Sequence, residues 1–385
     1  MISLLLDIQE TQESRRKYWG FIKSLECFCL GLQQDRSRSP AELRPKAYKQ
    51  RDPISRRRIN AFNTGDFVAI TYMSHPSDKG ENCKKKYRVQ NRNGRMFYPS
   101  TVRDCVWDRV FNYMCGRDVK LLWIDRQSIR QQEYTHKQRE QKTAALHTMD
   151  QVYAPSHHPV GLLEMSIRAT EDLSLLATIL QGKLSKGNET SRNFRLADAV
   201  TPEQAWDAFN LLDAITDDQW WTRAWIYQEA YVVRKKMNLL LRHTPDLETK
   251  KRDLGLFGVV PGELCIDYEV FSHQATLLCL ALQTSHAPRI KKVLGAAGGY
   301  RLLLDSSRSM TAQITQDVRR KELENKSDRL PIIANCCQYP VRINRQGRHG
   351  QTTSVSLSVF AMCLLNGEIL HNALDSTTQR RASGP

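Results

Sequence analysis

Four short apolar runs, separated by segments with helical periodicity, constrain the fold of this chain more than any other feature. The runs are predicted to be strands over residues 67–72, 120–125, 159–163 and 237–241. The helices are predicted over residues 101–115, 137–153, 202–215 and from 217 or 218 to 231. Because strand and helix alternate, the sequence predicts an α/β fold with a parallel sheet flanked by helices. The second run ends in Asp125, at the kind of strand end where such sheets bind ligands.

The rest of the sequence divides by composition. The predicted regions are a helical lead-in and basic linker (1–60), the main domain (61–245), a mostly helical C-terminal region (246–372) and a disordered tail (373–385). Within the first region, helical spacing extends to about residue 33, and the polar stretch 34–60 is predicted to be a loop or linker. Residues 77–99 lack periodicity and are also predicted to form a loop, while residues 181–198 are predicted to form an exposed excursion.

The charge and hydropathy of the chain bear on its partners and its location. A net charge of +16 is compatible with nucleic-acid binding, but the basic residues are dispersed, and clusters such as Arg56-Arg57-Arg58 are predicted to be solvated surface. No zinc-finger, helix-turn-helix or RNA-binding signature is present, so nucleic acid is not an expected partner. No apolar run approaches the roughly 20 residues that span a bilayer. The short apolar run at residues 2–6 is interrupted by Asp7, so we expect no secretion signal and a cytoplasmic protein.

Cysteine and histidine spacing gives no sign of a metal centre. The ten cysteines are irregularly placed, and no second pair follows Cys27-x-Cys29 or Cys336-Cys337 at zinc-binding distance. The cysteines are therefore predicted to be reduced thiols packed as small hydrophobic residues. No metal and no resident cofactor are expected.

Three segments carry more specific information. The first is residues 67–75, an aromatic-led strand that runs into Tyr72. The second, residues 122–131, contains Trp123-Ile124-Asp125 and ends at Gln131, and a later helix carries Met149-x-x-Val152-Tyr153. The third, residues 220–229, contains Trp220 and then Trp221-x-Arg223-x-Trp225-x-x-Gln228-Glu229.

These segments resemble the motifs of the fungal heterokaryon-incompatibility (HET) domain, and similarity to that family extends over about residues 62–370. The residues that match its motifs are Trp123, Ile124, Asp125, Gln131, Trp220, Arg223, Trp225, Gln228 and Glu229. The sequence departs from the family pattern at Ser74-His75, where Trp-Gly is common, and at Ser128, where cysteine is usual. Any chemistry that requires a thiol at position 128 is therefore excluded.

The resemblance implies a fold similar to the Toll/interleukin-receptor (TIR) domain, a flavodoxin-like parallel sheet, here with helical N- and C-terminal extensions. Some members of that fold cleave NAD at its nicotinamide–ribose bond with one glutamate. By order along the chain Glu229 is the nearest counterpart, and its expected role is catalytic. Asp125, Arg223 and Tyr72 are expected to bind the ligand, with Arg223 holding a phosphate. NAD would then be a substrate and not a cofactor.

Each of these residues also has a structural interpretation. Arg223 and Glu229 can be salt-bridge partners that fix their helix, and Asp125 can cap the turn that follows it. The tryptophans of the third segment are expected to be core residues. A carboxylate buried on an aromatic helix is unfavourable without a partner or a task, so both interpretations of Glu229 remain open.

The function implied by the resemblance is heterokaryon-incompatibility-type allorecognition leading to programmed cell death. Such a protein would act through self-association and an unidentified incompatibility partner protein, with or without NAD cleavage. The alternative is a non-enzymatic interaction module of the same fold that signals by oligomer contacts alone.

Overall fold

A nine-stranded mixed sheet with helices on both faces forms the centre of the protein. The computed structural model describes residues 12–30, 53–73, 86–132, 135–188, 193–233, 235–282, 287–297, 310–343 and 354–368. The strands are β1 (Gln12–Ser14), β2 (Leu25–Leu30), β3 (Ile54–Ile59), β4 (Val68–Tyr72), β5 (Arg88–Gln90), β6 (Phe97–Pro99), β7 (Leu121–Trp123), β8 (His158–Ile167), β9 (Ser185–Asn188), β10 (Asn193–Leu196), β11 (Asn238–His243), β12 (Glu263–Asp267) and β13 (Val341–Ile343).

The α-helices connect these strands and also form the C-terminal region. They are α1 (Trp19–Lys23), α2 (Asp104–Arg117), α3 (Asp125–Ser128), α4 (His136–His147), α5 (Met149–Tyr153), α6 (Thr170–Leu180), α7 (Pro202–Thr216), α8 (Ala224–Val233), α9 (Glu248–Leu254), α10 (Tyr268–Ala281), α11 (Ala287–Ala297), α12 (Thr311–Arg320), α13 (Arg329–Cys336) and α14 (Val355–Leu365). Short 3₁₀ turns cover Arg15–Tyr18, Gln219–Thr222, Pro245–Leu247 and Lys326–Asp328.

The sheet has the order β12-β11-β8-β4-β7-β2-β3-β5-β6. The four strands predicted from the apolar runs are β4, β7, β8 and β11, and they pair with one another in parallel. Their spatial order, β7-β4-β8-β11, is the 2-1-3-4 order of flavodoxin-like sheets. The α/β class with helices flanking a sheet is confirmed, and the whole sheet is mixed, because β2 and β12 pair antiparallel to this parallel central group.

The strands beyond β7 correct the sequence interpretation of the N-terminal third. Residues 25–30 had been assigned to a helical lead-in, residues 54–59 to a linker and residues 88–90 and 97–99 to a loop, yet all four segments are strands. β2 pairs with β3 over its whole length and also with β7. These strands are held by backbone pairing with neighbours, so they form without the apolar pattern by which strands are recognised in a sequence.

Two predicted helices are interrupted. The helix expected over residues 137–153 is divided at Thr148 into α4 and α5. The helix expected from residue 217 or 218 to residue 231 begins as a 3₁₀ turn, and Arg223 is extended (φ −84°, ψ 136°) before α8 starts. The excursion over residues 181–198 contains the β9–β10 hairpin. The tail predicted over residues 373–385 lies outside the described residues.

Three apolar clusters fill the structure. The largest lies between the sheet and a layer that includes α5, α6, α7, α8 and α10. The second lies on the opposite face, where α2 packs Trp107 and Phe111 against β4, β7, β8 and β11. The third joins Ala224 of α8 to α12, α13 and α14. Within the described residues, no helix has the length and apolar character needed to cross a membrane.

Candidate functional site

The carboxyl ends of β4 and β7 place two of the predicted site residues next to each other. β4 ends at Tyr72, and β7 ends at Trp123, two residues before Asp125 begins the short helix α3. The neighbour of β4 on its other side is β8, which comes later in the chain than β7. The sheet therefore reverses its strand order at β4, and such switch points are where open α/β sheets bind ligands.

Asp218 brings the third sequence segment to this edge. Its carboxylate accepts hydrogen bonds from the backbone N–H groups of Glu164 (2.6 Å) and Met165 (2.8 Å) in β8. It also accepts one from the N–H of Trp220 (2.9 Å), which caps the 3₁₀ turn. A buried carboxylate that accepts three backbone N–H groups is well satisfied, so Asp218 ties the start of the α8 segment to the irregular half of β8.

Trp220 then packs against the sheet. Its indole N–H donates to the carbonyl of Thr71 at 3.4 Å, and its side chain is 1% exposed. A Cβ atom at Gly161 would lie 2.8 Å from the Trp220 ring, so a glycine at this position of β8 makes room for the indole. Trp221 is also buried and donates to the carbonyl of Ile215. Both tryptophans belong to the largest apolar cluster, as the structural interpretation predicted.

Glu229 points from α8 into the protein beside β4 and α3, and it is 5% exposed. Burial, together with the neighbouring Asp125, raises its pKa from 4.5 to about 8. The neighbouring hydroxyl groups of Thr71 and Tyr153, and the charge of Arg223, oppose that increase in pKa. Among the described residues no cation lies within salt-bridge distance of Glu229. Glu229 therefore has no salt bridge among the described residues, whereas Arg223, the other residue expected to form one, lies 3.5 Å from the carboxylate of Glu324.

Asp125 is the second carboxyl of the site. Burial raises its pKa, and the backbone N–H of Arg126, which donates to it at 2.6 Å, opposes the increase together with the charges of Arg126 and Arg223. The contact with Arg126 is the local turn contact that the structural interpretation allowed for. Because Asp125 also raises the pKa of Glu229, the two carboxyls titrate as a pair that does not readily carry two negative charges.

Two tyrosines flank the carboxyl pair. The hydroxyl group of Tyr72 is buried and has no hydrogen-bond partner within the described residues. Burial, and then the charge of Asp125, raise its pKa well above 10, so it stays a neutral phenol. Tyr153 donates to the carbonyl of Ile70 at 2.8 Å, and its hydroxyl group also lies beside the Glu229 carboxyl.

Arg223 lies between the site and the C-terminal region. Its guanidinium is 3.5 Å from the exposed carboxylate of Glu324, and its backbone pairs with Glu322 in an isolated bridge. Its positive charge nevertheless lowers the pKa of both Asp125 and Glu229. The cation is therefore close enough to the carboxyl pair to act on it electrostatically.

The structure separates the remaining motif residues from this group. Trp123 and Ile124 are buried in the two apolar clusters beneath it, and Trp123 stacks edge-on against Tyr153. Gln131 is exposed, and its amide donates to the carbonyl of Ile129 within its own loop. Trp225 donates to the carboxylate of Asp328 at 3.1 Å, on the side of α8 that faces the C-terminal region.

Gln228 also turns away from the carboxyl pair, although it precedes Glu229. Its fully buried side chain accepts a hydrogen bond from the amide of Asn335 at 2.9 Å, and the same amide donates to the carbonyl of Leu146. The guanidinium of Arg342, buried as well, donates to the oxygen of Asn335 at 2.5 Å. This chain of buried polar groups connects α8 with α13 and β13.

The structure thus brings together Tyr72, Asp125, Arg223 and Glu229, all four of the residues predicted as catalytic or ligand-binding. It adds Thr71 and Tyr153, which sequence reasoning did not assign to the site. Tyr153 belongs to the Met149-x-x-Val152-Tyr153 motif, but only the fold shows that it lies beside Glu229. In the part of the chain that the structure describes, no group of three or more His, Cys, Asp or Glu side chains is arranged to hold a metal ion.

Comparison with known proteins is consistent with the resemblance on which these residues were chosen. Residues 67–229 match the family model described as Heterokaryon incompatibility protein (HET). The matched segment starts immediately before β4 and ends at Glu229, so it contains every residue of the site. No curated protein and no solved structure matches the chain.

Proposed function

We propose that this protein acts in heterokaryon incompatibility and that its HET domain cleaves NAD between nicotinamide and ribose. The observation that carries the enzymatic part is the buried carboxyl of Glu229, which lies beside a second carboxyl and has no cation at salt-bridge distance among the described residues. A buried carboxyl that lacks such a partner is unfavourable for folding, and strongly shifted pKa values are typical of functional sites.

The proposed reaction breaks the C1′–N bond, and the bonding electron pair leaves with neutral nicotinamide. Positive charge develops on the ribose, where the carboxylate of the Asp125–Glu229 pair stabilises it. Water then forms a bond to C1′, and Glu229, with a pKa of about 8, accepts the released proton as general base. The products are ADP-ribose, nicotinamide and one proton.

The other two residues bind the substrate in this proposal. The buried Tyr72 hydroxyl, which has no hydrogen-bond partner in the described structure, is placed to bond a ribose hydroxyl. Arg223 supplies the positive charge for a phosphate group. We further propose that the protein works in the cytoplasm, through self-association and recognition of an incompatibility partner protein. A TIR-like activity is supported by the flavodoxin-like order of the parallel strands and by the position of Glu229.

The test is nicotinamide release by purified, self-associated protein incubated with NAD, followed by chromatography. We expect activity to rise with pH towards a plateau above about pH 8, because the general base must lose its proton. Glu229→Gln should reduce the rate by at least about 100-fold. Glu203→Gln, at an exposed position at the start of α7, is the matched control and should leave the rate unchanged.

The alternative is an interaction module of the same fold without catalysis. It predicts that folded, self-associated protein releases no nicotinamide at any pH, and that cell killing on over-expression is the same for wild type and Glu229→Gln. Either result would remove NAD cleavage from the proposal and leave oligomer contacts as the signal.

A further inference from the structure

Four neighbouring arginines, three of them paired with one carboxylate, lie on the part of the sheet built by β2 and β3, outside the site described above. Glu26 of β2 lies 3.1 Å from Arg56, 3.3 Å from Arg58 and 2.7 Å from Arg92. Arg130 lies close enough to act electrostatically on both Arg56 and Arg92. These four side chains are called the arginine cluster below, and with Glu26 they leave a surplus of three positive charges.

The strand geometry explains why the cluster forms. Side chains alternate between the faces of a strand, so Arg56 and Arg58 of β3 share one face while Arg57 points to the other. Glu26 is directly opposite Arg58, and Phe28 is opposite Arg56, whose guanidinium lies 4.8 Å from the centre of the Phe28 ring. The run Arg56-Arg57-Arg58 was expected to be solvated surface. The strand instead places its side chains on alternate faces, and Arg56 is largely buried.

Some donors of the cluster form hydrogen bonds to backbone carbonyls of the protein. Arg56 donates to the carbonyls of Gln90 (2.6 Å) and Gln127 (3.1 Å), and Arg92 donates to the carbonyl of Ser128 at 2.7 Å. These bonds hold the C-terminal end of α3, the helix that starts at Asp125. They fix the guanidinium groups in place, so the cluster is organised before any ligand arrives.

Other donors of the cluster form no hydrogen bond to the protein. Within the described residues, Arg56 bonds through Nε and Nη1, Arg58 only through Nη2 and Arg130 only through Nε, which leaves Nη2 of Arg56 and both terminal nitrogens of Arg130 without a hydrogen-bond partner. The side chain of Arg58 is 65% exposed, whereas that of Arg56 is 14% exposed. The mutual repulsion of the arginines contributes to the lowered pKa of Arg56 and Arg92, after burial as the largest cause. An anion carrying more than one negative charge would relieve that repulsion.

We propose that the arginine cluster is a binding site for the diphosphate group of a small phosphorylated ligand. Planar guanidinium groups donate in pairs to phosphate oxygens, and several such groups around one point match a di-anion or tri-anion better than chloride. The site is separate from the Asp125–Glu229 pair. The cluster contacts the C-terminal end of α3, and Asp125 lies at the N-terminal end of that helix. A ligand that moved the arginines would therefore also move Asp125.

Titration calorimetry with inorganic diphosphate, and separately with ADP, tests the proposal at constant ionic strength. Arg58→Gln/Arg130→Gln should weaken binding by about tenfold or more, since charge-assisted hydrogen bonds are lost. The matched control is Arg57→Gln/Arg252→Gln, which removes the same charge from exposed positions outside the cluster. Circular dichroism checks that both variants are folded.

Equal affinity for diphosphate and ADP would support a site that recognises the phosphates alone, and tighter binding of ADP would identify a nucleotide as the source. The proposal is overturned if neither ligand binds beyond an equivalent concentration of chloride, or if both double variants lose affinity equally. Binding of diphosphate by Glu229→Gln protein separates this site from the proposed function, because only the latter needs the Glu229 carboxylate.

Discussion

Two buried glutamates of this protein, Glu263 and Glu229, differ in whether a cation lies next to the carboxyl group. Glu263 of β12 is 3% exposed, and both of its oxygens accept hydrogen bonds from Arg109, at 2.5 and 2.8 Å. Arg109 also donates to the carbonyls of Leu163 and Leu240, beside the irregularity in the β8–β11 pairing. Both oxygens of the Glu263 carboxylate therefore have a hydrogen-bond donor, and its charge is paired with that of Arg109.

Glu229 is similarly buried, at 5% exposure, but has neutral hydroxyl neighbours and a second carboxyl in place of a guanidinium. The comparison shows that this fold can supply a buried carboxylate with a complete set of donors. At Glu229 the fold supplies no such set of donors, and the carboxyl has a pKa of about 8, so it stays protonated below about that pH. Glu263 acts as a structural carboxylate, and Glu229 has the environment of a proton-transfer group.

The largest expected effect is on the paired glutamate. Arg109→Met should lower the free energy of unfolding by about 3–5 kcal/mol, because it leaves Glu263 buried without its cation. The double substitution Arg109→Met/Glu263→Leu should recover most of that loss, since it removes both charges. Urea unfolding at pH 7 measures both values. A loss below about 1 kcal/mol in the single variant would mean that the pairing does not stabilise Glu263.

A smaller and pH-dependent effect is expected at the unpaired glutamate. The pKa of Glu229 is raised in the folded protein, so protonation adds stability that is fully present below about pH 4.5 and is lost as the pH rises through about 8. Glu229→Gln cannot ionise, and its stability relative to wild type should increase between pH 5 and pH 9 by roughly 3–4 kcal/mol, about 1.4 kcal/mol for each pH unit up to the pKa of about 8. Unfolding curves over that range measure the difference.

If the difference between Glu229→Gln and wild type is constant with pH, Glu229 does not titrate in that interval and the contrast with Glu263 fails. Combined with the loss of activity expected for the same variant, a gain in stability would mean that Glu229 is retained for function at the expense of folding.

The smallest effect concerns the hydroxyl groups around Glu229. The Thr71 hydroxyl beside Glu229 lowers the pKa of that carboxyl, so Thr71→Val should raise the pKa further, by less than about one unit. The measurement is the midpoint of Glu229 titration followed by NMR of the labelled carboxyl carbon. Thr71→Ser keeps the hydroxyl and serves as control. A downward shift in Thr71→Val would show that the hydroxyl stabilises the neutral form instead.

The sequence was sufficient for the parallel centre of the fold and insufficient for its flank. β4, β7, β8 and β11 are buried on both faces, so each forms a continuous apolar run. β3 has the sequence Ile-Ser-Arg-Arg-Arg-Ile, and three consecutive arginines conceal the alternation of its faces. Its strand character comes from pairing with β2, a segment more than twenty residues away in the chain, which no local pattern can show.

The site shows the same division. Motif resemblance supplied Tyr72, Asp125, Arg223 and Glu229, and the fold does gather them. It could not supply Tyr153 as a neighbour of Glu229, or the pairing of Arg109 with Glu263, residues 154 positions apart. A motif identifies residues of interest, whereas burial and hydrogen-bond partners, which decide whether a carboxyl is structural, depend on tertiary contacts.

The buried bond between Gln228 and Asn335 has a consequence for how genes of this kind can recombine. The segment that matches the HET family ends one residue after Gln228, yet the partner of Gln228 is more than a hundred residues further along the chain. Exchange of the C-terminal region between related genes would leave the Gln228 amide without its donor unless the incoming region carried an equivalent asparagine. We therefore expect that a C-terminal region taken from another protein would keep this contact only with a hydrogen-bond donor at the position of Asn335.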